Sequence, residues 1–263
     1  MDLQLKGQTA FVSGSTLGIG FAVAKQLLQE GVKVIINGRS PERINEAIEK
    51  LKAAVPGAEV SGIAADFGKK EEVARLISQL QHIDILINNA GIFEPKPFTE
   101  ITDEDWFRFF EVNVMSGIRL SRALLPGMLQ RNKGRIIFIS SESAINIPEE
   151  MIHYGATKTA QLAITSGLAQ LTKGTAVTVN AVLPGPTGSE GVGEFIRQLA
   201  VAQNITPAQA EADFFHTTRP ASLLRRLITV DEIASMITYL SSPLAAATNG
   251  ASVRADGGIL KTL

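Results

Sequence analysis

The strongest constraint in this chain is a repeated alternation, in which short apolar runs rich in β-branched residues are separated by segments of helical length. The runs cover residues 9–13, 33–36, 59–64, 84–87, 135–140 and 176–182, and each reads as a buried strand. Neighbouring parallel strands require a long crossover, and such crossovers are right-handed. The pattern therefore predicts a doubly wound, Rossmann-type α/β fold, with one parallel sheet of about seven strands flanked by helices on both faces.

Glycines stand at the ends of these runs, at Gly14, Gly18, Gly91 and Gly185, rather than collecting in a linker. There is no internal repeat or low-complexity tract, so residues 1–263 read as a single domain. Residues 189–227 depart from the alternation. Their place after the last long strand reads as an insertion that covers a substrate, against the plainer reading of two surface helices.

With 45% hydrophobic and 19% charged residues, the chain can bury a large core. Its formal charge of -1 and lack of a long basic run leave no source for broad attraction to nucleic acid or an anionic membrane. A small molecule is the expected partner. No apolar stretch approaches the roughly 18 residues of a membrane span, and residues 1–8 lack the pattern of a secretory leader, so the cytoplasm is the expected location. The absence of cysteine excludes disulfides and thiolate chemistry. His82, His153 and His216 lack compact metal-ligand spacing, and no metal is expected.

Ser13-Gly14-Ser15-Thr16-Leu17-Gly18-Ile19-Gly20 follows the first strand and opens a helix. Glycines there allow close approach, and the free amides and dipole at a helix start attract phosphate oxygens. At the end of the second strand, dinucleotide folds often place an acid on the adenosine ribose, but here the sequence is Asn37-Gly38-Arg39-Ser40. Arg39, with Thr16 or Ser40, can instead bind a 2′-phosphate, which favours NADP(H) and leaves NAD(H) as the alternative. Leu17 stands where a second basic residue would have strengthened that preference. Asp66 and Phe67 follow the third strand, where the Asp66 carboxylate either accepts the adenine amino proton or caps the next helix. Asn88-Asn89-Ala90-Gly91 ends the fourth strand, with small residues that allow close backbone approach.

Tyr154 and Lys158 lie one helical turn apart on one face. A nearby ammonium favours the phenolate, so Lys158 is expected to lower the phenol's pKa from its ordinary value of about 10. Ser140 and Ser141 end the fifth strand with side chains on opposite faces, and Ser141 is the one expected beside the phenol.

Taken in order, the glycine-rich turn, Asn88-Asn89-Ala90-Gly91, Ser141, Tyr154-x-x-x-Lys158 and Pro184-Gly185 resemble the short-chain dehydrogenase/reductase family over nearly the whole chain. The resemblance implies that Tyr154 exchanges a proton with a carbonyl or alcohol substrate while a hydride moves to or from the nicotinamide. Ser141 would orient the substrate oxygen, Lys158 would also bind ribose hydroxyls, and Asn113 would hold a proton-relay water, unless it repairs a helix distortion. In Pro184-Gly185-Pro186-Thr187, the Thr187 backbone would meet the carboxamide, with Ser189 near the place of the family's usual threonine. A homotetramer or homodimer is also implied.

A 3-oxoacyl-type reductase is one expectation, and a catalytically idle dinucleotide sensor or scaffold is the alternative of a different class. Phe214, Phe215, Arg219, Arg225 and Arg226 are compatible with apolar or anionic substrates. Arg131, Lys133 and Arg135 form either a docking patch for an acidic carrier domain or a solvated surface.

Overall fold

A computed structural model describes residues 1–261. Seven strands, β1 (Thr9–Val12), β2 (Lys33–Gly38), β3 (Val60–Ala64), β4 (Ile85–Asn88), β5 (Arg135–Ile139), β6 (Thr178–Pro184) and β7 (Ser252–Ala255), form one parallel sheet in the order β3-β2-β1-β4-β5-β6-β7. The order reverses between β1 and β4, which opens a crevice beyond the carboxyl ends of those strands.

Strand periodicity sorts the core into two layers. Ala10, Val12, Ile85, Ile87, Ile137 and Ile139 share one apolar cluster, while Phe11, Leu86, Ile136 and Phe138 share the other. The first layer is closed by α1 (Gly18–Gln29), α2 (Pro41–Ala54) and α9 (Val230–Ser241), and the second by α3 (Lys70–Gln79), α5 (Ser116–Gln130) and α6 (Ile152–Gln170). All of β4 is buried, so truncating Leu86 to alanine would cost about 2–5 kcal/mol. Among the described residues, no helix is long and apolar enough to cross a membrane.

The strand ends differ in detail from the sequence reading. β6 runs through Pro184, which pairs with Ala255, and the ladder continues as the Gly185 amide donates to the Ala255 carbonyl at 3.1 Å. A terminal strand position tolerates proline's missing N–H. β7, outside the six apolar runs, is a short edge strand whose alternate side chains, Ser252 and Arg254, are exposed. An edge strand packs on one face only, so its apolar signal is weak.

Helix α4 (Asp103–Phe110) continues into a π-helical turn, Glu111–Met115, before α5 begins. The widened turn puts Asn113 toward the sheet, where it is buried. Residues 189–227 contain α7 (Glu190–Gln203) and α8 (Pro207–Thr217), which pack together around Ile196, Ala200 and Ala210. A bridge between Thr187 and Ile228 brings the two ends of the segment together.

Of the three basic residues considered for docking, Arg135 serves the scaffold, while Arg131 and Lys133 are exposed. Arg135 is buried and its guanidinium donates to the carbonyls of Gly134, Ala176 and Ser242. Arg131 donates to the Ile83 carbonyl, and Lys133 pairs with Asp84 at 3.4 Å.

Candidate functional site

The turn after β1 is held from below by buried polar side chains. The Gly14 amide donates to Asn37 Oδ1 at 3.0 Å, and Ser13 Oγ accepts from the amides of Asn89 and Ala90, both at 2.9 Å. Asn89 Nδ2 donates to the carbonyls of Ser13 and Gly14 at 3.0 and 2.8 Å. These bonds use the downward polar groups and leave the upper face of the turn to its backbone. Gly14 and Gly18 both have φ of 60°, the left-handed region that favours glycine.

A Cβ on Gly20 would lie 2.5 Å from Asn89 Nδ2 and 2.6 Å from the Gly14 carbonyl, so the turn closes only around glycine. At the start of α1, Leu17 supplies no side-chain cap and the first turn carries no acid. Free amides and a positive dipole end make this a donor set that fits a dinucleotide's diphosphate, with one carboxylate nearby, Glu190 Oε2 from the start of α7, 3.5 Å from where a Cβ on Gly18 would stand.

The adjoining strand end explains the missing acid. Asn37 is buried, and its amide nitrogen donates to the Ile63 and Ala65 carbonyls, so that side chain is committed to joining β2, β3 and the glycine turn. Arg39 is exposed and makes no hydrogen bond or ion pair among the described residues. Thr16 sits beside it against Gly38, where an added Cβ would lie 2.6 Å from Thr16 Cγ2. Ser40 accepts from the Arg43 amide as the N-cap of α2, so its hydroxyl is partly occupied. These groups fit a 2′-phosphate better than a bare ribose.

Asp66 does not cap α3, whose N-cap is Lys69; its Oδ1 accepts from the Gly68 amide at 2.9 Å in a tight local turn. The Phe67 side chain is buried in the core, which leaves only its backbone toward the crevice side.

Tyr154, Lys158 and Ser141 converge at the end of β5. Ser140 Oγ turns away to donate to the Lys158 carbonyl at 2.9 Å, whereas Ser141 Oγ accepts from the Ser143 amide at 3.1 Å and stands near enough to the Tyr154 phenol to favour its ionised form. Lys158 is buried, donates through Nζ to the Ile139 carbonyl at 2.8 Å, and lies 5.6 Å from the centroid of the Tyr154 ring.

The phenol's pKa moves opposite to the sequence expectation. Burial pushes Tyr154 up to about 12, the Ser141 hydroxyl opposes that shift, and the charge of Glu142 reinforces it. The nearby Lys158 does not offset the burial of the phenol, and burial pushes its own pKa down to about 8.

Asn113 is held by three partners. Oδ1 accepts from the Ile92 amide at 2.7 Å, while Nδ2 donates to the Ile92 carbonyl and Thr157 Oγ1, both at 3.0 Å. Its main-chain carbonyl accepts from Gln161 Nε2 at 2.6 Å. The side chain thus ties the π-helical turn to the loop after β4, beside Gly91 and Lys158. A Cβ added to Gly91 would lie 3.5 Å from both Asn113 Oδ1 and Lys158 Nζ. The structure gives the side chain an anchoring position, and His153, buried next to Tyr154, packs 4.0 Å from the Phe109 ring centroid.

After β6, Thr187 is buried with its hydroxyl bonded to the Gly185 carbonyl at 2.9 Å, so its main chain is the part left to a ligand. Ser189 caps α7 and lies across from the glycine turn, 3.4 Å from where a Cβ on Gly18 would stand. Behind this turn, the Asp256 carbonyl would be only 2.6 Å from a Cβ on Gly185.

A cavity of about 800 Å³ extends from Ile19 and Asn89 past Ser141, Tyr154 and Lys158 to Thr187 and Ser189. Phe93, Phe195 and Phe214 give it apolar walls, two of them from the segment 189–227. The sequence reading did not find Glu142, whose only signal was its place after Ser141. Glu142 is buried and accepts from Arg219 Nε at 3.1 Å, so Arg219 is paired within the chain. Arg226 pairs with Glu232 at 2.8 Å, and Phe215 is buried away from the cavity.

The sequence profile of the short chain dehydrogenase family matches residues 8–199. The chain is 49% identical to the uncharacterized oxidoreductase YvaG of Bacillus subtilis (strain 168), with both chains covered completely. It is 33% identical to the 3-oxoacyl-[acyl-carrier-protein] reductase FabG of Pseudomonas aeruginosa, over 98% of this chain and 99% of that protein. A crystal structure of L-sorbose reductase from Gluconobacter frateurii, complexed with NADPH and L-sorbose, superposes with a TM-score of 0.94 at 29% identity, covering 100% of both chains.

Proposed function

The chain belongs to the short-chain dehydrogenase/reductase family, and on that premise we propose that it reduces a ketone, or oxidises the matching alcohol, with NADP(H). The observation that carries this reading is the convergence of Ser141, Tyr154 and Lys158 at the floor of a cavity whose other end is the uncapped turn of α1.

Within the turn from Gly14 to Gly20, the amides beyond Gly14 and Ser15, which are bonded to Asn37, would hold the diphosphate, and Arg39 with Thr16 the 2′-phosphate. Asp66 and the Phe67 backbone would meet the adenine. Asn89, Ala90 and Gly91 would line the central passage, Lys158 the ribose hydroxyls, and Pro184, Gly185, Thr187 and Ser189 the carboxamide. When bound, the nicotinamide supplies or receives the hydride.

Ser141 positions the substrate oxygen, and Tyr154 Oη donates its proton to that oxygen as the carbonyl carbon gains the hydride. A phenol pushed up to about 12 is protonated at neutral pH, the form that carbonyl reduction consumes, but so high a value makes it a weak acid until the phenolate is stabilised as the proton leaves. Lys158, at about 8, is mostly cationic there and stabilises the phenolate left behind. Asn113 anchors the loop that carries Gly91 against these groups.

The apolar walls formed by Phe93, Phe195 and Phe214, together with similarity to the 3-oxoacyl reductase, support a 3-oxoacyl substrate as a second reading. A cytoplasmic location belongs to the same proposal. Assembly into a homotetramer or homodimer through the α4 side is supported by exposed Phe107 and Phe110. Purified protein given NADPH or NADH with a panel of ketones should consume NADPH preferentially, as followed by nicotinamide absorbance. Tight NADPH binding without turnover of any ketone would favour an idle sensor.

A further inference from the structure

Next to Ser141, the cavity wall carries a buried polar group that lacks a partner. Glu142 is 2% exposed; its Oε1 accepts from Arg219 Nε at 3.1 Å and from Ser143 Oγ at 3.3 Å, while its Oε2 is buried without a hydrogen bond. Arg219, itself 8% exposed, reaches a second carboxylate through Nη1, at 3.5 Å from Glu150 Oε1, and donates to the Thr218 carbonyl at 3.0 Å. Its Nη2 makes no hydrogen bond among the described residues. Glu142, Glu150 and Arg219 all line the cavity that holds Ser141 and Tyr154.

A fork-to-fork pair would have used both carboxylate oxygens. Here one buried acceptor oxygen and one donor nitrogen that is not sealed from solvent are left over, and the buried oxygen without a partner is disfavoured until a ligand or water supplies one. A hydroxyl group can satisfy both because it donates once and accepts as well.

The charge balance narrows the choice further. Two carboxylates flank the single guanidinium, Glu149 adds a third acid to the lining, and the other cation, Lys158, is held on the Ile139 carbonyl. An anionic substrate group would meet more acids than free cations here, with Glu142 buried, Glu149 exposed and Glu150 partly exposed.

We infer that Glu142 and Arg219 form a hydroxyl-recognising subsite, so that the preferred substrate is a neutral ketone with a hydroxyl group beside the reacting carbonyl. This rests on the reductase reading. The hydroxyl donates to Glu142 Oε2 and accepts from Arg219, while Ser141 and Tyr154 hold the carbonyl oxygen. Arg219 therefore acts as a partner of Glu142 and not as an anchor for carboxylate or phosphate.

The test compares four substrates with wild-type enzyme and NADPH: 1-hydroxybutan-2-one, butan-2-one, ethyl 3-oxobutanoate and 3-oxobutanoate. A site built around a hydroxyl discriminates strongly against analogues that lack it, and kcat/KM for the hydroxy ketone should exceed that of each other member by at least about 10-fold. Turnover with equal preference, or with the ester or the carboxylate preferred, overturns the subsite while leaving the reductase reading intact. No turnover with any member overturns both.

Glu142→Gln preserves shape but replaces the acceptor charge, and NADPH affinity reports whether the variant is folded. In the folded variant the advantage of the hydroxy ketone over butan-2-one should shrink by about 10-fold or more, and an unchanged ratio overturns the assignment. If that variant does not fold, the wild-type comparison still decides the question.

Discussion

The side of the cleft built on β1, β2 and β4 is held together by short polar contacts among Ser13, Gly14, Asn37 and Asn89, and it presents mainly backbone to a ligand. The opposite side presents side chains drawn from separated stretches: Phe93 after β4, Glu142 and Tyr154 around β5 and α6, Phe195 on α7, and Phe214 and Arg219 in and after α8. The first side offers amides in a geometry that any sequence with the right glycines can form, so it suits a shared cofactor. The second depends on the identity of each side chain, so it can select a particular substrate.

Substitutions should separate these two sides. The largest effect is expected at their junction: Tyr154→Phe should reduce kcat by about 10²- to 10⁴-fold while NADPH affinity stays near that of wild type. Stopped-flow or steady-state rates alongside fluorescence titration would check this, and an unchanged kcat would remove the phenol from the mechanism.

A smaller effect confined to the backbone-lined side is expected from Arg39→Ala. Loss of charge-assisted bonds to a 2′-phosphate should weaken NADPH binding by about 10- to 100-fold and leave NADH almost unaffected. Equal weakening of both cofactors would instead mean that Arg39 stacks on the adenine.

The smallest effect is a change with pH, of a few fold per unit. Ketone reduction requires protonated Tyr154 and cationic Lys158. With the phenol at about 12 and the ammonium at about 8, reduction should hold steady below pH 8 and decline as pH rises through it. Alcohol oxidation requires the phenolate and should rise with pH over the same range. A reduction rate that increases above pH 8 would contradict these assignments; rates measured in both directions across that range would show it.

Much of the backbone-lined side was legible because its signals are local. A glycine turn between a strand and a helix, and the lack of an acid at Asn37-Gly38-Arg39, are visible within a few residues. Strand alternation also showed that only one of Ser140 and Ser141 could face Tyr154. The phenol's pKa was not legible, because spacing shows that a cation is near but not that both groups are buried. Likewise, a helix cap stayed open for Asp66 until the backbone placed Lys69 there, and Arg219 with its neighbours left apolar and anionic substrates both open until Glu142, far away in sequence, was found paired with it.

By itself, the sequence determined the parallel sheet with its crossovers and the short-range motifs at its carboxyl edge, since hydrophobic period and glycine placement act over a few residues. Tertiary structure alone decided which side chains meet in the cavity, that Glu142 neutralises Arg219 while keeping one oxygen unmatched, and that burial outweighs charge at Tyr154. Desolvation and pairing depend on what surrounds a group in space, and those surroundings come from segments that the chain brings together only on folding.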